Sequence, residues 1–154
     1  MQKVSVVMIV QNEEAMLAKC LESVKDLDEI IIVDSGSTDK TKEIAAKYTD
    51  KIYDFPWCDN FAKSRNHAKS FATGDYILSI DADEILHDVS KVREAVELAA
   101  LKDVLAINIT IIAENNGQRS DFPRLFKNDP KVYWEGAIHN HISVLGEHIG
   151  DVRI

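Results

Sequence analysis

Apolar and polar positions along this chain follow two periods, one suited to buried strands and one to amphipathic helices. Residues 3–10 (KVSVVMIV) form a nearly continuous β-branched run, as expected for a strand covered on both faces of a parallel sheet. The spacing then predicts a helix over 13–24, with Ala15, Leu17, Ala18, Leu21 and Val24 as its apolar stripe and Asn12 as its cap. Residues 29–33 (EIIIV) read as a second buried strand. A turn at 34–39, a helix over about 40–47 and a short strand at 51–53 follow. This β-α-β-α-β order predicts an α/β fold with a mainly parallel, Rossmann-like sheet flanked by helices. Further on, a helix is expected over 59–72, a strand over 76–80 and an amphipathic helix over 89–101. After another strand over 104–112, the pattern becomes mostly β beyond about residue 115. Short strands are expected at 123–127 and within 132–142, and Gly146-Glu147 carries a hairpin signal.

Length and charge narrow this picture. The 154 residues suffice for one domain, read here as a nucleotide-binding half over about 1–114 and an acceptor-side β region over 115–154. The net charge of -8 argues against general nucleic-acid binding, which needs a basic face. A small phosphate-bearing ligand stays compatible, because a divalent metal supplies local positive charge. Cys20 and Cys58 fit no zinc spacing and read as free thiols. No apolar run approaches the ~20 residues of a membrane span. The expectation is a cytoplasmic protein, with peripheral membrane association left open and the oligomeric state unspecified.

The chemistry concentrates at strand ends. Open α/β sheets bind ligands outside the carboxyl ends of their strands, and three polar clusters fall there. They are Gln11-Asn12-Glu13, Asp34-Ser35-Gly36-Ser37 and Asp81-Ala82-Asp83. In an extended segment Asp81 and Asp83 would face one side. Clustered carboxylates suit Mg²⁺ or Mn²⁺, but a solvated acidic turn fits the same letters. Asp34 could meet a ribose or base, or merely belong to a helix-capping turn. Lys63 and Arg65 could neutralise phosphate, or lie on a solvated helix face. His139 and His141, two apart on a strand, could share a metal or be structural. Asp121, Glu135 and His139 are the candidates for a general base.

These residues together carry a resemblance. The stretches VSVVMIVQNEEAMLAKCLESV, DEIIIVDSGSTDKT, FAKSRNHA and GDYILSIDADE, in this order, resemble family 2 glycosyltransferases with the GT-A fold. FPRLFKN and VYWEGAIHNHI resemble a bacterial subgroup that adds sugars to cell-surface polysaccharide, lipopolysaccharide core or peptides. The resemblance implies an inverting, metal-dependent hexosyl transfer from a nucleotide-sugar, with UDP-glucose as default donor. The acceptor would be a saccharide, lipid-linked or peptide hydroxyl. The backbone from Ile9 to Gln11 and the Asp34 side chain would hold uridine, and Arg65 would lie near base or diphosphate. Asp81 would contact ribose or metal, and Asp83 would ligate Mn²⁺ or Mg²⁺.

The chain departs from the family pattern at three places. Gln11 stands where many relatives have a base-stacking tyrosine, and Asp34-Ser35 where many have two aspartates. His139-Asn140 replaces a His-Glu pair. Residues 151–154 read as the interior of a strand, so a C-terminally truncated domain is expected. A catalytically impaired nucleotide-binding module is the alternative. A nucleotidyltransferase is disfavoured, because Gln11-Asn12-Glu13-Glu14 has neither glycine nor a basic residue.

Overall fold

The structure is a computed structural model, and it describes residues 1–144. The hairpin signal at Gly146-Glu147 lies outside the described residues. The elements in chain order are β1 (Val4–Val10), α1 (Leu17–Val24), β2 (Glu29–Asp34), α2 (Thr41–Ala45), β3 (Ile52–Asp54) and α3 (Phe61–Lys69). They continue with β4 (Tyr76–Ser79), α4 (Val89–Leu101), β5 (Ala106–Ile112), β6 (Arg119–Lys127), β7 (Val132–Glu135) and β8 (His141–Val144). Six strands form one sheet in the order β3-β2-β1-β4-β6-β5. The first four are parallel, and β6 runs antiparallel to both its neighbours. β7 and β8 make a separate antiparallel pair.

The uninterrupted apolar run of β1 is explained by its central place. Val4, Val6, Met8 and Val10 enter the core beneath α1 and α4, while Val7 faces the opposite core with Ile31, Ile77 and Phe126. α4 buries Val92, Ala95, Val96 and Ala99, the single stripe its sequence period requires. Asp88 caps it by accepting from the Ser90 amide at 2.9 Å.

Several local expectations need correction. α1 begins at Leu17, not at residue 13, and residues 14–16 form a turn. Asn12 does not cap it: its φ is 55° and its side chain accepts from the Thr38 amide at 2.8 Å. Cys20 takes a core position on α1, whereas Ala15 and Ala18 stay exposed. β6 is longer than expected because Pro123 does not end it. Its partner there is Asn108 of β5 alone, beyond the reach of β4, so no ladder bond from its nitrogen to β4 is needed. His139 is not on a strand with His141. It lies in the 136–140 loop between β7 and β8, where Gly136 adopts φ 94°. A Cβ at Gly136 would sit 2.8 Å from the His139 carbonyl oxygen. Both cysteines are free, Cys20 buried and Cys58 exposed.

At the amino-terminal margin of the sheet, Glu29 gathers the ends of β1, β2 and β4. Its carboxylate accepts from the Ser5 hydroxyl and pairs with Lys51. It also takes the Thr73 amide at 2.9 Å and the Thr73 hydroxyl at 3.0 Å. Burial pushes this carboxyl up, but the bonds from Lys51, Ser5 and Thr73 outweigh that and bring it down to about 2. A carboxyl depressed on folding stabilises above its unfolded value of 4.5 and loses that contribution as pH falls towards 2. The side chain is only 7% exposed. Removing this dependence by Glu29→Gln should therefore cost on the order of 3 kcal/mol at pH 7. Urea melts at pH 7 and pH 3 check this, since the gap between wild type and variant should narrow in acid.

Candidate functional site

The carboxyl ends of β1, β2 and β4 come together at one edge of the sheet, as the polar clusters predict. Two loops there are joined by side chain to backbone bonds. The Asn12 amide donates to the Ser37 hydroxyl at 2.9 Å, and the Glu13 amide donates to the Thr41 hydroxyl at 2.8 Å. The Ser35 amide donates to the Val10 carbonyl at 2.9 Å. Ile9 is half-buried in β1 opposite Val33, and Gln11 is exposed beyond the strand end.

Asp34 ends β2 and is 1% exposed. Its Oδ1 accepts from the Gly36 and Ser37 amides at 2.9 and 2.8 Å, and Gly36 permits this turn at φ 109°. Its Oδ2 is buried without a partner. A desolvated carboxylate oxygen with no donor costs about 1–3 kcal/mol. Such an atom at a strand end is a natural acceptor for a ligand hydroxyl or amide.

Arg65 and Lys63 of the basic segment take different surroundings. Asn60 caps α3 by accepting from the Lys63 amide at 2.9 Å, and this phase leaves Lys63 exposed but turns Arg65 inward. Arg65 donates to the Ser79 hydroxyl at 3.1 Å and to Asp81 Oδ1 at 2.8 Å. Its guanidinium carbon lies 4.8 Å from the Trp134 ring centroid, a stacking contact.

Asp81 receives a second arginine. Arg124 donates to Asp81 Oδ2 at 3.0 Å and approaches Glu84 Oε1 at 3.4 Å. Burial raises the Asp81 carboxyl, but the Arg65 and Arg124 charges and hydrogen bonds outweigh it and hold the group below the usual range. For Glu84 burial dominates and the carboxyl is raised. Cys20 lies behind this turn, donates to the Asp81 carbonyl at 3.4 Å, and is pushed up to about 12, mainly by burial.

The segment carrying these acids is not extended. The Glu84 amide bonds the Asp81 carbonyl at 3.0 Å, and Glu84 Oε2 accepts from the Asp81 amide at 2.8 Å. This reciprocal turn separates the roles of the two aspartates. Asp81 faces the arginines, whereas Asp83 is exposed and makes no hydrogen bond or ion pair among the described residues. No group of three His, Cys, Asp or Glu side chains gathers as a metal cage among the described residues.

Sequence reasoning did not single out Arg124. Ile107 pairs with Leu125 and Asn108 with Pro123, so Arg124 is the extra residue of a β-bulge. Bulges redirect side chains, and here the shift breaks the alternation that would have marked a misplaced charge. A cleft of about 830 Å³ opens beside it, between the acidic turn, α4 and β5–β6. Asp83, Glu84 and Arg124 border it on one side, and Ile109, Ile111 and Leu86 on another.

The candidate bases lie on β6 and on the β7–β8 unit. Asp121 accepts from the Thr110 hydroxyl at 2.6 Å on the β5–β6 ladder. Glu135 is exposed, accepts from the Ser143 hydroxyl at 2.7 Å and lies 3.8 Å from His141 Nε2. His139 is exposed in the loop. Among the described residues, no helix is long and apolar enough to cross a membrane.

Residues 5–144 match the family described as Glycosyl transferase family 2. A TPR repeat-containing protein of Synechococcus elongatus is 39% identical over 146 residues, covering 90% of this chain and 35% of that protein. The SPbeta prophage-derived glycosyltransferase SunS of Bacillus subtilis is 35% identical over 144 residues, covering 85% and 32%. The chain thus spans about a third of the length of these relatives. S. aureus TarS in complex with UDP-GlcNAc shares the fold at TM-score 0.73 and 20% identity, over 86% of this chain and 48% of that one. M. tuberculosis glucosyl-3-phosphoglycerate synthase in complex with Mn²⁺ and UDP-glucose gives TM-score 0.60 and 23% identity, over 74% and 45%.

Proposed function

From the premise that the chain belongs to glycosyl transferase family 2, we propose that this domain binds a UDP-sugar and serves its transfer to an acceptor hydroxyl. The observation that carries the reading is the pairing of an unsatisfied, buried Asp34 Oδ2 with an exposed, unengaged Asp83 on the same sheet edge. Asp34 and the backbone from Ile9 to Gln11 hold the nucleoside. Arg65 lies on the diphosphate side, its charge shared with Asp81. UDP complexes of TarS and of the mycobacterial synthase support this donor class.

A divalent cation fits Asp83. One carboxylate plus donor phosphates is the usual way Mg²⁺ or Mn²⁺ is held, without an all-protein cage. Bound there, it would neutralise charge on the leaving diphosphate as a Lewis acid. Asp81 serves mainly as the counterion of Arg65 and Arg124, which keeps the turn in place. Displacement of UDP by the acceptor hydroxyl inverts the anomeric carbon. Glu135 is the base candidate on the hairpin, where Ser143 fixes its carboxylate. UDP-glucose is the default donor, and the acceptor is a saccharide, lipid-linked or peptide hydroxyl.

Calorimetry with UDP tests the reading. Wild type should bind at least about tenfold more tightly with Mn²⁺ than without, and Asp83→Ala should bring that ratio near one. Equal wild-type affinity in both conditions would overturn the metal-centred site. A second reading, a nucleotide-binding module without turnover, is favoured by Asn140, which stands where the subgroup has a glutamate. Release of UDP from UDP-glucose separates the two: a binding module takes up the donor and leaves it intact.

A further inference from the structure

The two-stranded unit β7–β8 is attached to the donor side of the molecule by α3 alone among the larger element contacts. The attachment is specific. Asn66 Nδ2 donates to the Trp134 carbonyl at 2.8 Å, and Asn66 Oδ1 accepts from the Trp134 amide at 2.8 Å. One side-chain amide thereby replaces a neighbouring strand at the middle of β7. The residue before it, Arg65, stacks over the ring of the same Trp134. At the start of the helix, the Phe61 amide donates to the Ala137 carbonyl at 2.9 Å, which ties down the loop after β7. Trp134 is 7% exposed and also meets Phe126 edge-on, so its ring has little room to move independently.

From this we infer that Asn66 and Trp134 are positioning residues linking the donor-side Arg65 to the hairpin that carries Glu135. Glu135 directly follows Trp134, so the register that Asn66 imposes on the backbone also sets where that carboxylate stands. The guanidinium of Arg65 has one face against the indole and its edge on Ser79 and Asp81. A diphosphate drawing on Arg65 therefore acts on the ring that holds the hairpin. Coupling of this kind is reciprocal: what the hairpin does to Arg65, the nucleotide does to the hairpin. A helix packed through apolar side chains alone would not transmit register, because such contacts lack direction.

The inference rests on the nucleotide reading above, and its test separates the two. Trp57 and Trp134 are the two tryptophans, so in a Trp57→Phe background Trp134 is the sole indole emitter. UDP with Mg²⁺ should change its emission with the same midpoint that calorimetry gives for binding. Asn66→Ala in that background should weaken UDP binding about 5- to 10-fold and abolish the change in emission. A merely structural Asn66 would lower the melting temperature while leaving affinity and emission response intact, and that result would overturn the inference. Should Asn66→Ala not fold, Trp134→Leu keeps an apolar side chain beside Phe126 and removes the ring that Arg65 stacks on. It should show the same loss of affinity by calorimetry, and unchanged affinity there would also overturn the inference. Nucleotide binding with silent Trp134 emission sinks the link alone. Absence of UDP binding in the wild-type calorimetry sinks the nucleotide reading, and the link with it.

Discussion

An Asp81→Ala protein should lose about 3 kcal/mol of stability, near the low end for breaking a buried ion pair. Arg65 and Arg124 are 10% and 16% exposed at their side chains, and both use Asp81 as counterion. Removing it leaves two adjacent guanidinium groups with Ser79 and Glu84 as their remaining partners. The lower end of the range applies because Asp81 itself is 32% exposed and water can partly fill the gap. For a domain of this size the melting temperature should fall by roughly 6–12 °C. Asp83→Ala is the contrast. That side chain is exposed and unengaged, so its removal should move stability by no more than about 0.5 kcal/mol. Differential scanning calorimetry on the two variants without ligand checks the assignment. Equal stability losses would mean that the two aspartates do not divide their roles as described.

Asp34→Asn should act in the opposite sense, on affinity and not on stability. The amide keeps an acceptor for the Gly36 and Ser37 amides, so the turn survives. It replaces the unpartnered Oδ2 with a group that cannot accept, and it removes a buried charge. A hydrogen bond to a charged group contributes about 1.5–3 kcal/mol. UDP affinity should therefore fall about 10- to 100-fold, while the unliganded protein melts at or slightly above the wild-type temperature. Paired titration and melting experiments distinguish this from a collapse of the loop, in which both quantities would fall together.

Much of the fold was legible because β1, β2 and α4 obey simple periods. Continuous apolar residues mark strands with cores on both faces, and the 89–101 stripe is recovered as α4 with the same bounds. The start of α1 was misread because Asn12 has the residue type of a cap but spends its side chain on the second loop. That partner is 26 residues away, and local pattern carries no trace of it. The position of the candidate site was legible, since strand order and loop polarity put Asp34, Asp81 and Asp83 at one edge of the sheet. It was not legible in division of labour. Asp81 and Asp83 look alike in sequence, and only the Asp81–Glu84 turn and two distant arginines set them apart. Arg65 sits on the inner face of a short helix whose Lys63 is exposed and whose Lys69 is only half-buried, on the Asp129 carbonyl. The burial of Arg65 depends on Trp134, which belongs to a different supersecondary unit. Asn66 was invisible for the same reason, because an amide that imitates a strand edge leaves no periodic signal.

The bulge that presents Arg124 also bears on how this sheet can vary. Deleting that one residue would restore an unbroken ladder between β5 and β6 and leave Phe122 and Pro123 opposite Ile109 and Asn108. The cation beside Asp81 and Glu84 would be lost in the same event. Regularity of the sheet and presence of the arginine are thus mutually exclusive at this point in the chain. Substitutions can tune the acidic turn gradually, but an insertion or deletion in β6 switches it in a single step. Length changes at residues 123–125 therefore act directly on the acidic turn, although they lie far along the chain from the acids they serve.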